Sequence, residues 1–179
     1  AFAHLCDEKN VAMLARHKVF SEAELNSRYE INLKRYCATL TTEAQTVSAM
    51  IRRQILPAVE AYVYELSSAL AARMAVLPEL KCGYEAKTIS RLSELTDEIY
   101  INVEKLDDAL DDQSGCNETL ECAYYIRDRV LSLMNTLRTL CDEAETVTAE
   151  KLFIGETAFF HCVAVLFIPW RNLFINNLP

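Results

Sequence analysis

The chain has 179 residues, enough for one domain with a proper core, and 51% of them are hydrophobic. Three glycines and four prolines are few against an average near about 12% for the two together. Tight turns and phosphate loops need their special backbone angles, so a many-stranded sandwich, a dinucleotide-binding fold and a P-loop NTPase fit poorly. The net charge of −8 is spread as +2 over residues 1–56, −7 over 57–112 and −3 over 113–179. No basic patch could hold a phosphate backbone, so nucleic acid is not an expected partner.

The pattern predicts an all-α fold: a bundle of long antiparallel helices, three to four main ones, over residues 1–150, with an atypical apolar tail over 151–179. Asp7-Glu8-Lys9 places an acidic cap before Val11, Leu14 and Ala15, a short helix ending near His17. Ser21 and Glu24 have the spacing of a capping box, with Val19 or Phe20 as the staple against Leu25. Leu25, Tyr29, Leu33, Tyr36 and Leu40 then recur at helical steps. Thr42 and Gln45 have the spacing to break and recap the helix. The pattern resumes through Ile51, Ile55, Ala58, Tyr62, Leu66 and Ala69, with Pro57 predicting a kink or restart.

Pro78 to Gly83 is the clearest break. A helix over about 85–110 follows, with Ile89, Leu92, Thr96, Ile99, Val103, Leu106 and Leu110 on a heptad seam. Asp111 to Asn117 reads as a polar loop containing Gly115. A further helix over about 118–149 carries Ala123, Ile126, Val130, Leu133, Leu137, Leu140, Ala144 and Val147 in the same repeat. Two heptad helices joined by a short loop predict an antiparallel hairpin packed on the earlier helices, with Leu133 and Leu137 in the core. Thr157 to Ile168 is different: Thr157 and His161 are its only polar residues. Twelve residues are too few to span a bilayer, so a membrane is not an expected partner.

Chemical motifs are scarce. Cysteines stand at 6, 37, 82, 116, 122, 141 and 162 with no C-x-x-C and no zinc-finger spacing. They read as reduced thiols acting as small hydrophobes, in a cytoplasmic setting, since no signal peptide is visible. Asn117-Glu118-Thr119 is formally a glycosylation sequon, and without a secretory signal it carries little weight. The first residue is Ala1 rather than Met, which reads as a processed chain or a fragment. His4, His17 and His161 pair with no carboxylate or thiol at ligand spacing. Asp107, Asp108, Asp111 and Asp112 fail the EF-hand pattern and read as a solvated helix end. Tyr62, Tyr64, Tyr84, Tyr100, Tyr124 and Tyr125 read as packing between helices, and Arg52-Arg53 and Arg127-Asp128-Arg129 as surface ion pairing.

Three segments carry a family resemblance. They are Phe20 to Ile31 (FSEAELNSRYEI), Thr41 to Ala44 followed by Arg53 to Val59 (RQILPAV), and Ala123 to Leu131 (AYYIRDRVL) with Met134 and Leu137-Arg138 after it. In this order they resemble the C-terminal region of type III glutamine synthetases, over roughly residues 5–150. The resemblance implies a part of an ATP-dependent glutamate–ammonia ligase that uses Mg²⁺ or Mn²⁺, passes through γ-glutamyl phosphate and assembles as two stacked hexameric rings. The family's metal, nucleotide and catalytic residues belong to motifs upstream of such a segment. No catalytic, cofactor-binding or metal residue is therefore carried over, and no activity is expected from this chain in isolation. The implied partners are the catalytic domain of the same polypeptide and neighbouring subunits of a homo-oligomer. After about Glu150 the chain departs from the family's usual ending. It reads either as a lineage-specific ending or as translation past an exon or frame boundary, and the joint loss of charge and heptad register favours the second. A free-standing helical adaptor is the alternative, since two clean heptads suit a partner helix.

Overall fold

The computed structural model describes residues 4–79, 81–113 and 118–149. Among these residues every regular element is helical: α1 (Glu8–Arg16), α2 (Glu22–Met50), α3 (Leu56–Val76), α4 (Gly83–Gln113), α5 (Thr119–Tyr125) and α6 (Leu131–Val147). A single π turn, Ile51–Ile55, joins α2 to α3, and another, Ile126–Val130, joins α5 to α6. The run from Glu22 to Val76 is therefore one helical rod, about 80 Å long at 1.5 Å per residue. The tail beyond Ala149, Leu80 and the segment 114–117 with Gly115 lie outside the described residues.

Local chemistry accounts for the starts and stops. Asp7 stands at the N-cap of α1, but its carboxylate meets His4 Nδ1 at 3.0 Å rather than a helix amide. The helix closes with two backbone bonds, Lys18 N–H to Ala15 O and Val19 N–H to Leu14 O, both 3.0 Å. This is the Schellman pattern, and it puts Lys18 in the left-handed region at φ 54°. Ser21 caps α2 as expected. Glu24 N–H donates to its Oγ at 3.3 Å, and Ser21 N–H donates to the Glu24 carboxylate at 2.9 Å. These bonds hold the Glu24 carboxyl below its ordinary range. Val19 is 54% exposed and so cannot be the staple, while Leu25 is buried.

The expected break at Thr41–Gln45 does not occur. Thr41 Oγ1 donates to Cys37 O at 2.8 Å and Thr42 Oγ1 to Ala38 O at 2.9 Å, so both hydroxyls bond back into the helix. Proline does have its effect. Pro57 has no N–H, and its ring crowds the carbonyl four residues back. The turn just before it widens instead of breaking: Leu56 N–H reaches Ile51 O, five residues away. Past Gly83, α4 runs on to Gln113, so Asp111 and Asp112 are helical rather than part of a loop.

The core is one continuous cluster. α4 lies antiparallel to the long rod, as shown by Arg73 with Glu85, Arg52 with Asp107 and Thr41 with Gln113. The α5–α6 rod returns alongside α4, tied by Arg91 Nε to Glu143 Oε1 at 2.9 Å. α4 packs on α2, α3 and α6, and α5 packs on α2. The expected hairpin on the long helices is present.

The detailed seams differ from a strict heptad. On α4, Thr88, Leu92, Leu95, Ile99, Val103, Leu106 and Ala109 are buried, while Ile89, Thr96 and Leu110 are only half-buried. Neighbours on two sides of α4 widen its buried stripe beyond a two-helix seam. On the last rod the buried positions are Ala123, Ile126, Val130, Leu131, Met134, Leu137, Cys141, Ala144 and Thr148. Leu133, Leu140 and Val147 sit half-buried at the margin. The π turn causes this. Leu131 N–H reaches back to Ile126 O and the helix takes in an extra residue, so Met134, Cys141 and Thr148 take the places expected for Leu133, Leu140 and Val147 while Leu137 and Ala144 keep theirs.

Candidate functional site

No reactive centre was expected from the sequence, and the side chains that converge are clasps between helices. The first lies over the π turn beside Pro57. Arg52 donates to Asp107 Oδ2 from Nη2 at 2.7 Å and from Nε at 3.2 Å. Ser48, one turn earlier on the rod, donates from Oγ to Asp107 Oδ1 at 2.6 Å. The Arg52 guanidinium also lies 5.8 Å from the Tyr100 ring centroid. Asp107 raises the Arg52 pKa above its ordinary value. Sequence reasoning placed Asp107 in a solvated acidic cluster, and α4 turns it toward the rod instead. Ser48 and Arg52 at i, i+4 present two donors on one face, which was the available signal. Asp108, Asp111 and Asp112 are exposed.

A second convergence, within one helical rod, lies at the other π turn. Arg127 donates to Asp128 Oδ1 at 2.6 Å and Oδ2 at 2.9 Å, and sits 4.9 Å from the Tyr124 ring centroid. The contact lowers the Asp128 carboxyl below the usual range. Nearby, burial pushes the Tyr36 hydroxyl up to about 12. Arg52 and Arg127 thus form ion pairs, as read from the sequence. The tyrosines divide: Tyr62 and Tyr125 pack against the core, while Tyr64, Tyr84 and Tyr100 are exposed, contrary to a uniform packing role.

Cysteine chemistry is muted. Cys37 and Cys141 are buried, and Cys6, Cys82 and Cys122 are half-buried. Burial, with Asp142 and Glu145 adding to it, pushes the Cys141 thiol up to about 12. Burial with Asp7 also raises Cys6. Neither gains the thiolate character that a nucleophile needs. Cys116, Cys162 and His161 lie outside the described residues. Among the described residues, no group of three or more His, Cys, Asp or Glu side chains is placed to hold a metal ion, and no helix is long and apolar enough to cross a membrane.

Likeness to known proteins gives the direction. Residues 1–74 match the family model described as glutamine synthetase C-terminal domain. The likeness takes in α1, α2, the first π turn and nearly all of α3. Over 144 residues, 80% of this chain, the sequence is 31% identical to a glutamine synthetase of Butyrivibrio fibrisolvens. Over 155 residues, 84% of the chain, it is 23% identical to a type-3 glutamine synthetase of Dictyostelium discoideum. In each case the matched stretch is 21% of the relative, so the chain spans about a fifth of their length. No solved structure matches the chain. These findings support a glutamine synthetase C-terminal domain and go no further than that likeness.

Proposed function

We propose that this chain is the non-catalytic C-terminal helical portion of a type III glutamine synthetase, working in the cytoplasm. One observation carries the reading: a match that fills four-fifths of this chain occupies only 21% of the curated relatives. The whole protein then joins glutamate and ammonia at the expense of ATP, with Mg²⁺ or Mn²⁺. The residues for that chemistry reside elsewhere in the polypeptide. The role of this portion is structural: it packs on the catalytic domain and on neighbouring subunits and helps shape the homo-oligomer. A rod about 80 Å long, stiffened by a packed hairpin, suits reaching between subunits.

The purified chain, given glutamate, ammonia, Mg²⁺ and ATP, should form no glutamine. A longer polypeptide that includes the upstream coding sequence should be active as a homo-oligomer, and removing residues 1–150 from it should change its sedimentation coefficient. Glutamine formation by the isolated chain, or an unchanged assembly after the removal, contradicts the proposal. An upstream sequence with no ligase reading frame would point to a free-standing helical adaptor instead.

A further inference from the structure

The second half of the long rod is sparsely covered. α3 packs chiefly on α4, and within it only Val59 is buried. Its outer face runs through Ala61, Tyr64, Ser68, Ala71, Ala72 and Ala75, all of them exposed. Glu60, Glu65 and Arg73 are the charged side chains among its 21 residues, and Arg73 is engaged by Glu85 of α4. A helix with so little charge on its outer side is normally enclosed.

This face is complementary to itself. Tyr64 is its large residue and stands 74% exposed. One turn further on, Ser68, Ala71, Ala72 and Ala75 lie at i, i+3, i+4 and i+7, the four corners of the hole that takes a knob when helices pair. All four are small, so the hole admits an aromatic ring. A helix cannot fill its own hole, but a second copy can. Tyr64 and Ala72 stand four residues either side of Ser68, and Ala61 and Ala75 seven. Two α3 helices laid antiparallel about a two-fold axis at Ser68 therefore set each Tyr64 in the other's hole, and the small Ser68 lets the backbones approach. Charge agrees with this register. Glu65 meets Ala71 and Glu60 meets Val76, so neither carboxylate faces another. At the rim, exposed Arg53 comes within about one turn of exposed Glu79 of the second copy. Residues 57–76 are about 30 Å long, and half the surface of a helix over that length is about 500 Å². The pair thus buries about 1,000 Å², the area a specific interface needs, before the rim is added.

We propose that two copies of this chain pair through α3, antiparallel about a two-fold axis at Ser68, with each Tyr64 seated among Ser68, Ala71, Ala72 and Ala75 of the other copy. The same patch serves on both sides, so the pairing closes at a dimer. The two α2 helices lead away at opposite ends and do not compete for the contact. This names a contact that the proposed function leaves open, and it rests on the surface of α3 rather than on the glutamine synthetase likeness.

The test is sedimentation velocity on the full chain from about 1 to about 100 µM, a range in which an interface of this size associates. The chain should pass from monomer to dimer. Tyr64→Ala should weaken the dimer about thirtyfold or more, because each dimer loses two buried aromatic knobs. Tyr64 is exposed within one copy, so circular dichroism at 222 nm should stay unchanged in that variant. Arg53→Glu and Glu79→Arg should each weaken the dimer, and the two together in one chain should restore it. On mild oxidation with oxidised glutathione, Ser68→Cys should give a disulfide-linked dimer beyond any that the unsubstituted chain gives, and Glu60→Cys, away from the axis, should not. A chain that stays monomeric to about 100 µM, or a dimer indifferent to Tyr64→Ala, overturns the proposal. A paired charge reversal that fails to restore the dimer, or a link at Glu60→Cys as ready as at Ser68→Cys, overturns the antiparallel register. None of these results touches the glutamine synthetase reading, whose own test is glutamine formation by the longer polypeptide.

Discussion

Leu137→Ala against Leu133→Ala is the sharpest test of how the last rod is built. Leu137 is fully buried within the core cluster, and Leu133 is half-buried at its edge. Each substitution removes three carbons. At about 0.8 kcal/mol per buried CH₂, the transfer loss at Leu137 is about 2.4 kcal/mol. The cavity left in a packed interior brings the total to about 3–4 kcal/mol. At Leu133 about half of the transfer loss applies, and water or neighbouring side chains fill the space, so about 1 kcal/mol is expected. Urea denaturation followed by circular dichroism at 222 nm gives both numbers from the midpoints, provided the slopes stay equal. A strict heptad makes the two sites equivalent, whereas past the π turn at Ile126–Val130 Met134 takes the core place of Leu133 and Leu137 keeps its own. A loss at Leu133 as large as that at Leu137 would refute the register argued here.

Lys18→Gly should raise stability by about 1 kcal/mol, since Lys18 is held at φ 54° with a Cβ that the left-handed region disfavours; an unchanged urea midpoint would count against the Schellman ending of α1. Asp107→Asn should cost about 0.5–1 kcal/mol, because the Arg52 pair is more than a third exposed; the cost should shrink in 1 M NaCl, and a salt-independent loss would mean that the charge is not what matters. Stability should fall as pH rises from about 9 toward about 12. Cys141 and Tyr36 have pKa values raised to about 12 in the fold, so the unfolded chain loses these protons first, and the advantage present at lower pH is lost through that window. Tyr36→Phe should flatten the part above pH 10, and a urea midpoint constant from pH 9 to 11 would exclude this linkage.

The sequence by itself determined the fold class, the helix starts and the hairpin. These are local matters: Ser21 and Glu24 meet within one turn, Pro57 and Gly83 mark changes of backbone, and apolar spacing near 3.5 residues requires an enclosed seam. It also carried, in three segments, a resemblance that the comparisons support at the level of a glutamine synthetase C-terminal domain. It placed the end of α1 near His17, where the C-cap lies, but gave no sign of the Schellman turn, because Lys18 occupies a position where glycine is the usual signal. It misjudged Thr41 and Thr42, because a hydroxyl able to cap a helix can equally bond back into one. Tertiary structure decided the rest. Which of Leu133 and Met134 lies in the core depends on an extra residue in a π turn, and no periodicity count contains that turn. Whether Asp107 faces water or Arg52 depends on α4 lying antiparallel across the rod, which joins residues 55 positions apart. Spacing along one helix reports which residues share a face, and only packing reports what that face meets.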